Sequence, residues 1–99
     1  MEIPDRVWKL FDREGAWTQG CFARDAEGEQ CGTEDPKATM FCLLGGIELI
    51  YPPHARYDKR RVVMEKLKVF PRIGYLSVWN DDPKRTREEV VVVLKELDV

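Results

Sequence analysis

Histidine is almost missing from this chain: His54 stands alone among 99 residues, and cysteine is held to three, Cys21, Cys31 and Cys42. A single imidazole excludes any site built on several histidines. The odd number of thiols argues against a disulfide framework. Met1-Glu2-Ile3-Pro4-Asp5 also lacks the basic start and apolar core of a secretory leader, so reduced thiols in a cytoplasmic setting are expected. No apolar run approaches the ~18–20 residues that cross a bilayer, and no membrane partner is expected. Gly-x-Ser-x-Gly, Gly-x-x-x-x-Gly-Lys and His-Glu-x-x-His are absent too. Cys42 with His54 is the single cysteine–histidine option for a nucleophile and its base, with no local signature around it, and none of the acidic residues stands in a diagnostic acid–base pattern. These absences argue against an enzyme.

What is present describes a folded globule. Apolar residues make up 43% and charged residues 34%, too hydrophobic and too mixed in sign for a disordered chain, and the length suits one domain over residues 1–99 with one core. Sixteen basic against eighteen acidic residues leave a net charge of −2, which removes any global attraction to nucleic acid. The charges are nevertheless segregated. Residues 25–35 carry Asp25, Glu27, Glu29, Glu34 and Asp35 with no basic residue, whereas residues 56–72 carry Arg56, Lys59, Arg60, Arg61, Lys66, Lys68 and Arg72 against Asp58 and Glu65. On a helical wheel Arg56 and Arg60 fall toward the core side, and Arg61, Lys68 and Arg72 share the outer face with those two acids. No coherent basic stripe results, and nucleic acid is disfavoured.

The apolar spacing predicts a mainly α fold of about four helices with a small β-hairpin. Ile3, Val7, Trp8, Leu10 and Phe11 mark a first amphipathic helix to Arg13, stopped at Gly15. Thr18 to Asp25, with an Ala26-Glu27-Gly28 turn and Glu29-Gln30-Cys31 returning, predicts the hairpin. Asp35-Pro36 reads as the cap and first residue of a second helix running to Tyr51, closed by Pro52-Pro53. Gly45-Gly46 within it costs about 1 kcal/mol per glycine, which predicts that another element approaches closely there. A third helix spans Ala55 to Phe70, and Pro71 and Gly74 end it. Tyr75 to Trp79 fits strand, helical turn or extended chain equally well. The capping box Thr86-Arg87-Glu88-Glu89 opens the last helix, to Leu97, and outweighs the β-branched run Val90 to Val93.

Several blocks stand out: Ala16-Trp17-Thr18-Gln19-Gly20, Ala23-Arg24-Asp25 with Gly28, Ala38 with Phe41-Cys42-Leu43-x-Gly45, and Trp79-Asn80-Asp81-x-Pro83-x-Arg85-Thr86-x-x-Glu89-Val90. In these blocks the chain resembles a bacterial and bacteriophage family known only as a domain of unknown function. The resemblance spans nearly the whole chain and implies one intact domain in a bacterial or phage setting, with no activity, cofactor or active site to transfer. Gly46 departs from the alanine expected after Gly45, which bears on helix packing alone.

Two readings of these blocks compete. Trp17 offers a stacking face, Gln19 an amide, and Arg24 a fork for carboxylate or phosphate. With Asp25, Trp79, Asn80, Asp81 and Arg85 they would suit a nucleotide-like ligand if both blocks faced one cleft. Alternatively Trp17 fills the core, Gly20 permits a tight path, Arg24 fixes the hairpin, and Asn80 to Pro83 form a turn. Cys21, Cys31, Cys42 and His54 are a legitimate Cys3His zinc composition, but they lie about ten residues apart rather than in the local pairs that chelate zinc. No metal or cofactor is expected. Val62 and Val69 project with Arg61 from the outer side of the third helix as a candidate partner or dimer face. The function expected is that of a small interaction protein binding a host protein or its own copy, and the resemblance implies that it is phage-encoded. A small-ligand binder is the alternative.

Overall fold

The computed structural model describes the backbone of residues 3–69 and 76–99, with all their side chains except those of 53–57, 68 and 69. Among the described residues five helices and three strands follow one another: α1 (Val7–Phe11), β1 (Ala23–Asp25), β2 (Gln30–Cys31), β3 (Ala38–Phe41), α2 (Leu43–Ile50), α3 (Pro53–Val69), α4 (Leu76–Asn80) and α5 (Arg87–Leu97). The expected helices with a hairpin are therefore corrected to a mixed α/β fold, because a third strand joins the hairpin.

That strand replaces the predicted start of the second helix. Asp35-Pro36 makes a turn instead: Lys37 N donates to Asp35 Oδ1 at 2.8 Å and Ala38 N to Asp35 O at 3.0 Å. Asp before Pro serves a turn as well as a helix start, since the side chain bonds the backbone two residues on and proline presets φ. The chain then runs extended from Ala38 to Phe41, and α2 starts at Leu43. Cys42 is its cap, with Sγ accepting from Gly45 N at 3.2 Å. Helical periodicity in this stretch begins only after the strand.

The sheet order is β2-β1-β3, both pairs antiparallel, with Ala23 opposite Cys31 on one side and Phe41 on the other. Residues 16–18 extend it past β3: Phe41 N donates to Ala16 O at 2.8 Å and Thr18 N to Phe41 O at 3.0 Å. The first helix is shorter than predicted, ending at Phe11, with Gly15 at φ 74° in the turn that follows. The stretch open to three readings contains α4. The third helix reaches from Pro53 to Val69, and Phe70, Pro71, Arg72, Gly74 and Tyr75 lie outside the described residues.

Val7, Leu10 and Phe11 of α1, Phe41 of β3, Ile47 and Ile50 of α2, Val63 and Leu67 of α3, and Val90 and Leu94 of α5 form one core cluster. α5 lies along α1, and Arg87 Nη1 donates to Phe11 O at 3.1 Å and Asp12 O at 3.0 Å, serving the bare carbonyls at the end of α1. Its capping box is present: Glu89 N donates to Thr86 Oγ1 and Thr86 N to Glu89 Oε1, both at 3.2 Å.

The glycine pair in α2 sits where the expectation of close approach placed it. A Cβ on Gly45 would collide with the Phe22 carbonyl oxygen and come within 3.0 Å of its carbon. A Cβ on Gly46 would lie 2.6 Å from Phe11 Cζ. The backbone just before β1 therefore rests on the first turn of α2, tied there by Cys42 N donating to Phe22 O at 3.1 Å.

Candidate functional site

The two blocks flanking this contact, 17–20 and 79–82, bind one another directly. Asn80 ends α4 with 0% exposure, and its oxygen Oδ1 accepts from Trp17 Nε1 at 2.7 Å and from Leu43 N at 3.0 Å. Its Nδ2 donates to Thr18 O at 3.1 Å and to Asp81 Oδ1 at 2.9 Å. A side-chain amide has two N–H groups and two acceptor lone pairs, and all are engaged here. Leu43 opens α2, so Asn80 also serves a helix N–H that has no partner within the helix.

Gln19 and Asp81 close the seam. Gln19 Nε2 donates to Asn80 O at 2.8 Å and Asp82 O at 2.9 Å, and Gly20 N donates to Asp81 Oδ1 at 3.0 Å. Gly20 holds φ 83°, a left-handed geometry that glycine adopts without steric cost. On the other side of the seam, Lys84 N donates to Asp82 Oδ1 at 2.9 Å, the turn expected of Asp before Pro83.

The remaining residues of the blocks bond within their own loops. Arg24 donates from Nε to Thr18 Oγ1 at 3.0 Å, from Nη1 to Gly28 O at 3.0 Å and from Nη2 to Gln19 O at 3.3 Å, so it clasps the hairpin. Asp25 Oδ1 accepts from Glu27 N at 2.9 Å and Glu29 N at 3.0 Å. The Arg85 guanidinium lies 4.0 Å from the Trp79 ring centroid, donates from Nε to Trp79 O at 3.1 Å and pairs through Nη1 with Glu89 at 2.8 Å. Trp17, Gln19, Asn80 and Asp81 thus meet in one network, with Arg24 joined to it through Thr18 and the Gln19 carbonyl. Trp79 and Arg85 flank it, and Asp25 lies in the hairpin turn.

Two of the three thiols are held in the protonated form. Burial pushes the Cys42 thiol up, outweighing the backbone N–H groups of Gly45 and Leu44 that favour its thiolate. Partial burial also pushes the Cys31 thiol up, with help from the carboxylates of Asp35 and Asp25 and the neighbouring Cys21 thiol. A raised pKa leaves little thiolate, the form that attacks carbon or sulfur or ligates metal. Among the described residues no group of three or more His, Cys, Asp or Glu side chains is placed to hold a metal ion, and the side chain of His54 lies outside them.

On the third helix Arg61 and Val62 are exposed, Val62 at 55%, and the side chain of Val69 lies outside the described residues. Arg60, assigned to the core side, is half-buried, and its buried Nη1 has no hydrogen-bond partner among the described residues. No helix of the described residues is long and apolar enough to cross a membrane.

A surface that sequence reasoning did not single out runs past the seam. Three depressions adjoin through shared walls: one of about 180 Å³ between Phe22, Leu44, Ser77 and Asp81, one of about 480 Å³ between Phe22, Cys31 and Glu48, and one of about 530 Å³ between Glu34, Asp35, Phe41, Glu48 and Leu49. The first two share Gly20, Cys21 and Phe22, and the last two share Thr33 and Glu48. Phe22, 51% exposed, stands on the wall between the first two. Strand alternation was the available signal, since Ala23 points into the core and its neighbour must point out.

The model of a family of unknown function, DUF6197, matches residues 6–97, and the chain belongs to that family. No match was found among curated proteins or among solved structures.

Proposed function

We propose that this member of DUF6197 is a non-enzymatic protein-binding domain, acting in a bacterial or phage setting on a host protein or on its own copy. The observation that carries this reading is Phe22: a large apolar side chain, half exposed, on backbone held against Gly45 and bonded to Cys42. Aromatic anchors on rigid ground contribute most to protein–protein affinity, since little conformational entropy is lost when they are covered. Two further facts support it. The raised thiols offer no activated nucleophile, and the polar groups that would have gripped a small ligand already serve the fold.

The experiment is affinity capture from a bacterial lysate with size-exclusion chromatography of the purified chain, repeated for Phe22→Ser. Retention of a partner or elution as an oligomer, lost in the variant while its melting temperature is unchanged, is the expected outcome. A chain that stays alone and monomeric overturns the reading. A nucleotide-like ligand using Trp17, Gln19, Arg24, Asn80 and Asp81 would instead raise the melting temperature in a metabolite panel, and Arg24→Ala would abolish the rise.

A further inference from the structure

We propose that the groove beside Phe22 receives a basic segment of another protein, with lysine or arginine side chains facing Glu34, Asp35, Glu48 and Asp81 and an apolar side chain seated on Phe22 and Leu49. This rests on the protein-binding reading and names its partner's chemistry. Among the described residues no lysine or arginine lines any of the three depressions, and none of the four carboxylates is ion-paired. Some acids elsewhere do find cations, Asp5 with Lys9, Asp98 with Arg6, Glu88 with Arg87 and Glu89 with Arg85, but those in the groove stand together along apolar walls. The groove therefore concentrates carboxylates with no cation beside them among the described residues, between apolar walls on a protein whose charges are otherwise nearly balanced.

That combination selects its occupant. Covering carboxylates with an apolar or acidic surface strips their water and returns nothing, so such partners are penalised. A basic segment restores the lost interactions, while contacts with Phe22 and Leu49 supply the burial that exposed ion pairs alone cannot. The three depressions lie in a row and share walls, which favours an elongated chain segment that crosses them over a compact small molecule. A second copy is the weaker occupant: its α3 presents Lys59, Val62 and Lys66 on one face at helical spacing, but the exposed Asp58 and Glu65 flank them and would face the groove's own carboxylates.

The test is fluorescence anisotropy with a short labelled peptide of alternating lysine and leucine, against a glutamate–leucine and a lysine–serine counterpart. Saturable binding of the lysine–leucine peptide alone is expected, weakening as salt is raised. Glu48→Gln should weaken it about threefold, and Glu34→Lys with Glu48→Lys about tenfold or more, with circular dichroism unchanged. Phe22→Ser should remove it. Equal binding of the lysine–serine peptide, or indifference to both charge variants, overturns the proposal. If Phe22→Ser still abolishes capture in that case, the protein-binding reading survives without it. Sedimentation showing self-association of the free chain that Phe22→Ser abolishes, with no peptide bound, also overturns it and assigns the groove to a second copy.

Discussion

Asn80 is the one buried polar side chain among the described residues, and the fold depends on it. Replacing it with leucine keeps the volume but leaves Trp17 Nε1, Leu43 N and Thr18 O without partners. A buried donor or acceptor left unpaired costs about 1–3 kcal/mol, so Asn80→Leu should destabilise by about 3–5 kcal/mol, a large share of what a domain this size possesses. Asn80→Asp keeps both acceptor contacts but sets a carboxylate against the Thr18 carbonyl and Asp81, so it too should lose stability. Urea unfolding followed by tryptophan fluorescence checks both. A loss below about 1 kcal/mol for the leucine variant would mean that the seam does not hold the two loops together. The same network explains why Trp17, Gln19, Asn80 and Asp81 are hard to interpret one by one: each has an ordinary local role, and none reveals its partner from its own neighbourhood.

At the level of elements, legibility followed the range of the interaction. The capping box at Thr86 is a local device and stands where the residues placed it, whereas Gly15 takes a left-handed conformation in a turn beyond the helix end at Phe11 and is not that helix's stop. The glycine pair was readable one step further, because its cost demanded a neighbour, though nothing in the sequence identified that neighbour as the Phe22 backbone. The third strand was not readable. Asp35-Pro36 suits a helix start and a turn alike, and Ala38 to Phe41 is too short for periodicity to separate the two. What decides is the pairing of Phe41 with Ala23 and with residues 16–18, which is tertiary information. The contact at α2 predicts unequal penalties. Gly45→Ala must move backbone and should cost about 3 kcal/mol. Gly46→Ala meets side-chain atoms of the buried Phe11 and Leu10, not backbone, so the core can shift to admit it at about 1–2 kcal/mol. Thermal melts of the two variants compare them directly. A Gly46 penalty equal to or larger than that of Gly45 would contradict the packing described.

Across the whole molecule, the titration of the cysteines gives folding a pH dependence of definite sign. Both Cys31 and Cys42 are raised in the folded chain, whereas in the unfolded chain they ionise in the ordinary range near about 8.5. The folded state therefore holds protons that the unfolded state has released. The stability linked to these thiols is complete below that range and is lost as pH rises through it and through the folded values. Unfolding free energy should fall on the alkaline side, and a Cys31→Ser/Cys42→Ser variant should flatten the fall. Serine suits position 42 because its oxygen can accept from Gly45 N as the sulfur does. Alkylation by iodoacetamide gives an independent readout: both thiols should label slowly in the native protein at neutral pH, and faster once the pH exceeds the ordinary thiol range. Rapid native labelling of Cys31 at neutral pH would show its thiolate to be stabilised rather than suppressed. Since carboxylates of Asp25 and Asp35 contribute to that suppression, neutralising Asp35 should speed the reaction at Cys31 while leaving Cys42 unchanged, which ties the thiol chemistry to the acidic side of the molecule.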